Sequence, residues 1–297
     1  MKEELQVFLK SNINPFSFAR RIGRPLILDG AMGSLLQQKA RKDVNVWMSK
    51  VSIDNPELVL DIHREYIEAG ADIITTNTFR TNPAAAKNSG FSSELLVNKN
   101  VELAKRAVKN FPVFVAGSNA PAEDCYQKER TISSKELEYN HHKHIDLLLE
   151  NGVDFILNET QSHFDEIKII CKYCSKNDFP FVISLFSIDG YNLLDDYLLS
   201  DAVNFIINSN PLAISFNCIN SDVFFTILNE TVFNYNWGVY MNLGTGDYTE
   251  GIIKNSVSPT HYLKILKSVF HRKPSFIGAC CGSNPTHIKE LRDLFNE

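Results

Sequence analysis

Three of the six cysteines in this 297-residue chain stand where apolar runs give out. Cys218 closes "PLAISFNC", and Cys280 and Cys281 lie in "PSFIGACCG". Neighbouring strand residues point to opposite faces, so a plain core reading buries one sulfur of the adjacent pair and turns the other outward. Both can face one point if the chain bends as the strand ends, and Gly282 supplies that freedom. Three thiolates with an open fourth position make a tetrahedral zinc site of the catalytic kind, since structural zinc normally takes four protein ligands. The competing reading buries all three as small hydrophobes, and for any single cysteine it is the better one. Three at strand ends favour the metal. An ion held by three thiolates carries net negative charge and polarises carbonyls poorly. It would instead lower the pKa of an incoming thiol from about 8.5 and leave its sulfur nucleophilic, which is thiol alkylation chemistry.

That convergence depends on the elements beneath it. Eight short apolar runs begin at Pro25, Ala71, Phe111, Val153, Phe179, Pro211, Trp237 and Pro274, with helix-patterned segments between them. Runs apolar along their whole length mean burial on both faces, as in parallel strands joined by helical crossovers. "NPELVLDIHREYIEAGAD" has Asn55 as cap, Pro56 in the first turn and Gly70 as stop; "SSKELEYNHHKHIDLLLENGVD" repeats the scheme with Ser134 and Gly152. The pattern predicts an α/β fold, a single-domain (β/α)8 TIM barrel over residues 25–297, preceded by a helical lead-in over 1–24 that closes the barrel floor. "INPF" reads as a turn within that lead-in. An open doubly wound sheet is the runner-up, but no GxGxxG follows the first strand.

Seven of the eight runs end in small or polar residues, among them Asp29-Gly30, Asn77-Thr78, Glu159-Thr160, Asn217-Cys218, Asn242 and Cys280-Cys281. In a barrel these ends meet at the rim that holds the chemistry. Strands six and eight are separated by one neighbour, so Cys218 can reach Cys280 and Cys281.

Composition narrows the partners. A net charge of -5 and the lack of a long Lys/Arg block argue against nucleic acid, and no apolar run approaches the ~20 residues of a membrane span. "MKEELQVFLK" is an amphipathic start without a signal-type apolar stretch. The chain reads as cytoplasmic, with small-molecule partners and cysteines that are free, metal-bound or catalytic rather than paired as disulfides.

"LILDGAMGSLLQ", "TTNTF", "NET" followed by "FDEIK", "SFNC" and "GACCGSNPTHI" together resemble the homocysteine S-methyltransferase family. This family includes the homocysteine module of cobalamin-dependent methionine synthase, betaine-homocysteine methyltransferase and the S-methylmethionine-dependent enzymes. The resemblance runs from Pro25 to about Leu294. It implies one Zn2+ per chain on Cys218, Cys280 and Cys281, activation of homocysteine as a zinc thiolate, and methylation to methionine. Glu159, at the fourth strand end, suits the substrate ammonium, and the family uses the matching glutamate that way; pairing with an arginine is the alternative. The turn Gly30, Ala31, Met32 and Gly33 offers backbone N–H groups at a helix start, and the resemblance assigns it the substrate carboxylate. Asp29 orients that turn or helps receive the ammonium, unless it only caps the following helix. Asn77 and Thr78 are further rim candidates, and Asn242 is a candidate weak fourth ligand.

The donor is less fixed. "GSNAPAEDCYQKE" departs from the "GAYLADGSEY" of S-methylmethionine-dependent members, and Cys125 within it carries no assignment. The first reading is a stand-alone enzyme using a sulfonium such as S-methylmethionine or S-adenosylmethionine. The second is a homocysteine-activating subunit served by a separate corrinoid protein or by methylfolate. The third is a non-catalytic homocysteine- and zinc-binding barrel. Two further signals are set aside: "CKYC" (Cys171, Cys174) lies in a helix pattern away from the rim, and "HHKH" (His141 to His144) reads as a solvated helix face.

Overall fold

The structure, a computed structural model, describes residues 14–40, 49–87, 89–245 and 253–296. The amphipathic start and the first thirteen residues of the lead-in lie outside the described residues.

Eight strands form one parallel sheet: β1 (Leu26–Ile27), β2 (Ile73–Thr75), β3 (Phe114–Asn119), β4 (Phe155–Gln161), β5 (Phe181–Leu185), β6 (Ala213–Asn217), β7 (Trp237–Met241) and β8 (Phe276–Ala279). They follow chain order around the ring, with β8 pairing both β7 and β1. A parallel bridge from Leu28 to Ile73 joins β1 to β2 and completes the circuit. The expected TIM barrel is therefore the observed fold.

Every residue of β3, β5, β6 and β7 is buried, as continuous apolar runs require when one face fills the barrel and the other meets helices. Inside, Leu28, Phe114, Phe155, Val182 and Phe276 pack as one cluster. Helix α1 (Pro15–Ile22) seals the lower end. Its cap, Asn14, accepts a bond from Phe16 N (2.9 Å), and the Phe16 ring packs 5.5 Å from Phe155 and 4.8 Å from Phe276. Within "INPF", Asn14, Pro15 and Phe16 thus begin this helix.

The outer helices are α2 (Met32–Ala40), α3 (Pro56–Glu68), α4 (Ser93–Val108), α5 (Ser134–Glu150), α6 (Phe164–Lys176), α7 (Leu199–Ile207), α8 (Ser221–Glu230), α9 (Pro259–Lys267) and α10 (Pro285–Asp293). Asn55 caps α3 as its sequence predicts. On α5 the cap is Ser133 rather than Ser134, because only Ser133 places Glu136 three residues on and closes a reciprocal capping box.

The "HHKH" expectation is corrected by α5. His141 and His144 are fully buried, since this face of the helix lies on β3 and α6, where Asn119 and Glu166 offer partners. Of the three histidines only His142, half-buried and stacked on Tyr173, keeps contact with solvent. Cys171 and Cys174 are buried along α6, and burial pushes the Cys171 thiol up to about 12.

Candidate active site

The three strand-end sulfurs converge. Cys280 N donates the last ladder bond to Met241 O (2.8 Å), and Ser283 N then donates to Cys280 O (3.1 Å), closing a tight turn. Gly282 occupies its third position at φ 79°, and a Cβ there would lie 2.4 Å from Gly244 Cα. Cys281 is therefore carried off the strand, and the bend predicted at Gly282 is present. Cys218 follows β6 at φ 54°, a conformation costing a non-glycine residue roughly 1–2 kcal/mol, so the surrounding packing holds it there.

Cys281 Sγ stands 3.8 Å from Cys218 Sγ and 3.9 Å from Cys280 Sγ. With Zn–S bonds near 2.3 Å, the edge of a tetrahedron is about 3.8 Å, so two of the three edges match a zinc centre. Cys218 and Cys280 also lie within disulfide reach of each other, their Cα atoms 5.7 Å apart. Strand ends that bring sulfurs close enough for one ion also bring them within disulfide span. Reduced, the set is soft, three-coordinate and open to the cavity, and fits zinc by donor type and convergence. No other such group of three occurs among the described residues.

The turn after β1 seats against the β8 turn. Ala31 N donates to Ser283 Oγ (2.9 Å), Gly282 N to Ser34 Oγ (3.1 Å), and Tyr66 OH to Ala31 O (3.1 Å). A Cβ on Gly30 would meet Ser283 Oγ at 2.6 Å and Tyr66 OH at 2.8 Å. The Ala31 N–H is thus already engaged, and the N–H groups of Met32 and Gly33 in the first turn of α2 are the better anion donors.

Two carboxylates face the same space. Asp29 accepts from Thr75 N (2.8 Å) and Thr75 Oγ1 (2.6 Å), so it ties β1 to β2 and does not cap α2. Burial, opposed by those bonds and aided by the Glu159 charge, raises it to about 8. Glu159 opens on the cavity from β4 and accepts from Ser118 Oγ. Burial raises it to about 7. Among the described residues no arginine pairs with it; its neighbours are Ser118 and Tyr240.

Asn77 lines the cavity with these groups. Thr78 does not: its hydroxyl donates to Ser118 O (2.7 Å) beneath the rim. Asn242 also lies outside the lining, where its Oδ1 receives Gly244 N (2.9 Å). Lining residues missed in the sequence include Tyr240, Phe79, Tyr126 and Thr75. Tyr240 is buried on β7 with its hydroxyl facing Glu159 and Ser184 but completing no well-formed hydrogen bond. Its inward position within "WGVYMN" was the available signal. Cys125, unassigned before, is a fourth thiol in the lining, and burial pushes it up to about 12. Among the described residues, no Lys, Arg or His lines this cavity.

Fold and rim together define a TIM-barrel enzyme whose chemistry gathers around a thiol cluster at the carboxyl ends of its strands. The family model described as Homocysteine S-methyltransferase matches residues 26–295, and the chain belongs to that family. It is 29% identical over 216 residues to the homocysteine S-methyltransferase of Escherichia coli (strain K12), covering 65% of this chain and 69% of the relative. To homocysteine S-methyltransferase 2 of Arabidopsis thaliana it is 23% identical over 314 residues, covering 92% and 94%. The crystal structure of the Escherichia coli homocysteine methyltransferase MmuM in its metallated form matches with a TM-score of 0.75 at 26% identity, over 91% of this chain and 96% of that one. The oxidized form of MmuM gives 0.77. The protein is accordingly a methyltransferase that acts on homocysteine. No helix among the described residues is long and apolar enough to cross a membrane.

Proposed function

We propose that the barrel methylates homocysteine at a zinc ion held by Cys218, Cys280 and Cys281, taking the methyl group from a cationic sulfonium donor. The observation that carries this reading is the cavity itself, where three sulfurs share a lining with two carboxylates and no basic side chain among the described residues. An anionic donor such as a folate finds no basic counter-charge there among the described residues, whereas a cationic sulfonium meets no basic side chain to repel it. The MmuM structures, described as metallated and as oxidized, support a metal role for this rim.

Bound zinc would supply the positive charge that lets a thiol ionise near neutral pH. Glu159 and Asp29 receive the substrate ammonium, and the N–H groups of Gly30, Met32 and Gly33 receive its carboxylate. Held at both ends, the sulfur is confined to the cysteine side of the cavity, where it attacks the methyl carbon in line. The new S–CH3 bond forms as the donor's S–CH3 bond breaks. The donor leaves as a neutral thioether, and the thiol proton passes to solvent. Thr78 and Asn242, which lie outside the cavity lining, are given no role in this mechanism.

A donor panel tests the proposal. Reduced, zinc-loaded protein is given homocysteine with S-methylmethionine, S-adenosylmethionine, betaine, methyltetrahydrofolate or a methylated corrinoid protein. Methionine formed from a sulfonium alone is the expected result. Turnover only with the corrinoid protein or methylfolate would assign the chain to the activating-subunit reading, and homocysteine binding without turnover on any donor would make it a non-catalytic barrel.

A further inference from the structure

The loop joining β3 to α5, residues 120–133, carries Cys125 and Tyr126 into the cavity lining. With the ammonium, carboxylate and thiol of homocysteine assigned to β4, β1 and the β6/β8 ends, the remaining lining includes Gln37 and Ile253, Asn77 and Phe79 after β2, and these two residues after β3. That part of the lining is the one left to face the donor.

The loop is pinned from below by a buried polar chain that homocysteine chemistry does not use. Glu166, in the first turn of α6, is fully buried. Its Oε1 accepts from Ala122 N (2.7 Å) and meets His141 Nε2 at 2.8 Å; its Oε2 accepts from Arg130 Nη1 (3.0 Å). One carboxylate thus grips both ends of the loop. Burial alone would raise its pKa, but the bonds from His141, Ala122 and Arg130 together hold it below the usual glutamate value. His141 is itself steadied by Asn119 (3.3 Å), at the end of β3, and Asn119 Oδ1 is bonded by His144 Nδ1 (2.8 Å). Other bonds fix the middle of the loop. Arg80 Nη1 donates to Glu123 O (2.6 Å), and His163 Nε2 meets Lys128 O (3.0 Å). The Tyr126 ring stands edge-on to Phe186 at 5.1 Å.

Such a network has a cost: a buried carboxylate needs every partner it has, and the same groups packed as apolar side chains would hold α5 to α6 as well. What apolar packing would not do is grip a loop backbone at Ala122 while holding Arg130 eight positions on. We propose that Glu166 is a positioning residue for methyl transfer, fixing this loop so that Cys125 and Tyr126 form the donor-side wall of the cavity. The proposal rests on the reading of the cavity given above. The buried "HHKH" histidines are the supports of that carboxylate.

The test uses full-length, reduced, zinc-loaded protein and the variant Glu166→Gln, with Arg130→Met cutting the same bond from the loop side. Native protein is treated with a maleimide at pH 8 and the labelled cysteines are identified by peptide mass spectrometry. Cys125 is 1% exposed in the intact protein, and Cys171 and Cys174, buried in α6, report on the rest of the fold. Expected in both variants is labelling of Cys125 accelerated at least tenfold while Cys171 and Cys174 stay protected. In steady state the donor KM should rise about tenfold with the homocysteine KM within twofold. Unchanged protection of Cys125 would overturn the proposal, as would joint exposure of all three cysteines in both variants, which would make Glu166 a general prop of the fold. Labelling decides the matter without turnover, so failure of every donor would count against the proposed chemistry and leave the loop result standing.

Discussion

Cys281 and Cys218 sit 63 positions apart in the chain, on strand ends that never pair, yet their sulfurs are 3.8 Å apart. The spacing is set by the barrel: β7 lies between their strands, and left-handed turns at Cys218 and Gly282 lean the two ends toward each other over it. A contact held by two such turns is a strong constraint on function, because ordinary packing of buried thiols would not require either.

Zinc uptake should therefore need both reduction and all three thiols. A Cys218–Cys280 disulfide would remove two ligands, so oxidised protein should bind no stoichiometric zinc, and a dithiol reductant should restore about one ion per chain. Cys281→Ala should weaken zinc binding beyond the roughly 10–100-fold typical of losing an outer-shell partner. Metal analysis after dialysis against a weak chelator reads both effects. Full retention of zinc by the alanine variant would remove Cys281 from the ligand set.

The amino-acid end of the site predicts a pH dependence. Burial raises Glu159 to about 7 and Asp29 to about 8, so the free protein holds protons near neutrality that an ammonium ligand favours losing. Binding expels them, and affinity should rise with pH from about 6 to 8, by up to about tenfold per unit for each proton released. Methionine is the suitable probe, having the same ammonium and carboxylate without a thiol proton. Calorimetry at pH 7 in buffers of different ionisation enthalpy should show proton release. In the free protein the folded state binds more protons than the unfolded chain across about pH 4 to 8, so its stability falls as pH rises through that window. Glu159→Gln should flatten the binding profile, and an equally steep profile in that variant would show that other groups titrate.

Tyr240→Phe isolates one hydroxyl. An ammonium has three N–H donors, and in the proposed binding mode the Tyr240 oxygen, which faces Glu159, would be the third acceptor beside Glu159 and Asp29. Losing one such bond costs about 1 kcal/mol, so the homocysteine KM should rise roughly three- to tenfold. Zinc content and the donor KM should stay unchanged. No change in methionine or homocysteine affinity would leave Tyr240 with a packing role only.

Most of the architecture was legible because it is written in one-dimensional patterns. Apolar runs marked all eight strands, their polar endings marked the rim, and adjacent cysteines followed by glycine marked a bend. What the sequence hid were properties set by neighbours distant in the chain. His141 and His144 looked solvated because the side chains that bury and bond them, Asn119 and Glu166, come from β3 and α6. Thr78 and Asn242 sit at strand ends like true lining residues, but the local twist turns them to backbone partners. Tyr240 escaped notice because an inward-facing tyrosine in an apolar strand reads as core until its hydroxyl is seen to face a carboxylate.

The barrel seam gives a last expectation, at the end remote from the cavity. β1 is only two residues long and reaches β2 through a single bridge, so backbone pairing alone closes this joint weakly. Asp72 reinforces it. Its carboxylate accepts from Ile27 N (2.9 Å), from both terminal nitrogens of Arg24 (2.7 and 3.1 Å), and from Arg292 Nη2 of α10 (2.6 Å). Asp72→Ala would leave two largely buried guanidinium groups without their counter-charge and a strand N–H without its acceptor, a change that typically costs roughly 3–5 kcal/mol. Arg292→Ala should cost less, because Arg24 still neutralises the carboxylate. Urea unfolding should order the stabilities as wild type, Arg292→Ala, Asp72→Ala. Zinc stoichiometry should hold in every variant that remains folded, since the cysteines lie at the opposite ends of the strands. Equal midpoints for all three proteins would show that the β1–β2 joint does not limit the stability of the fold.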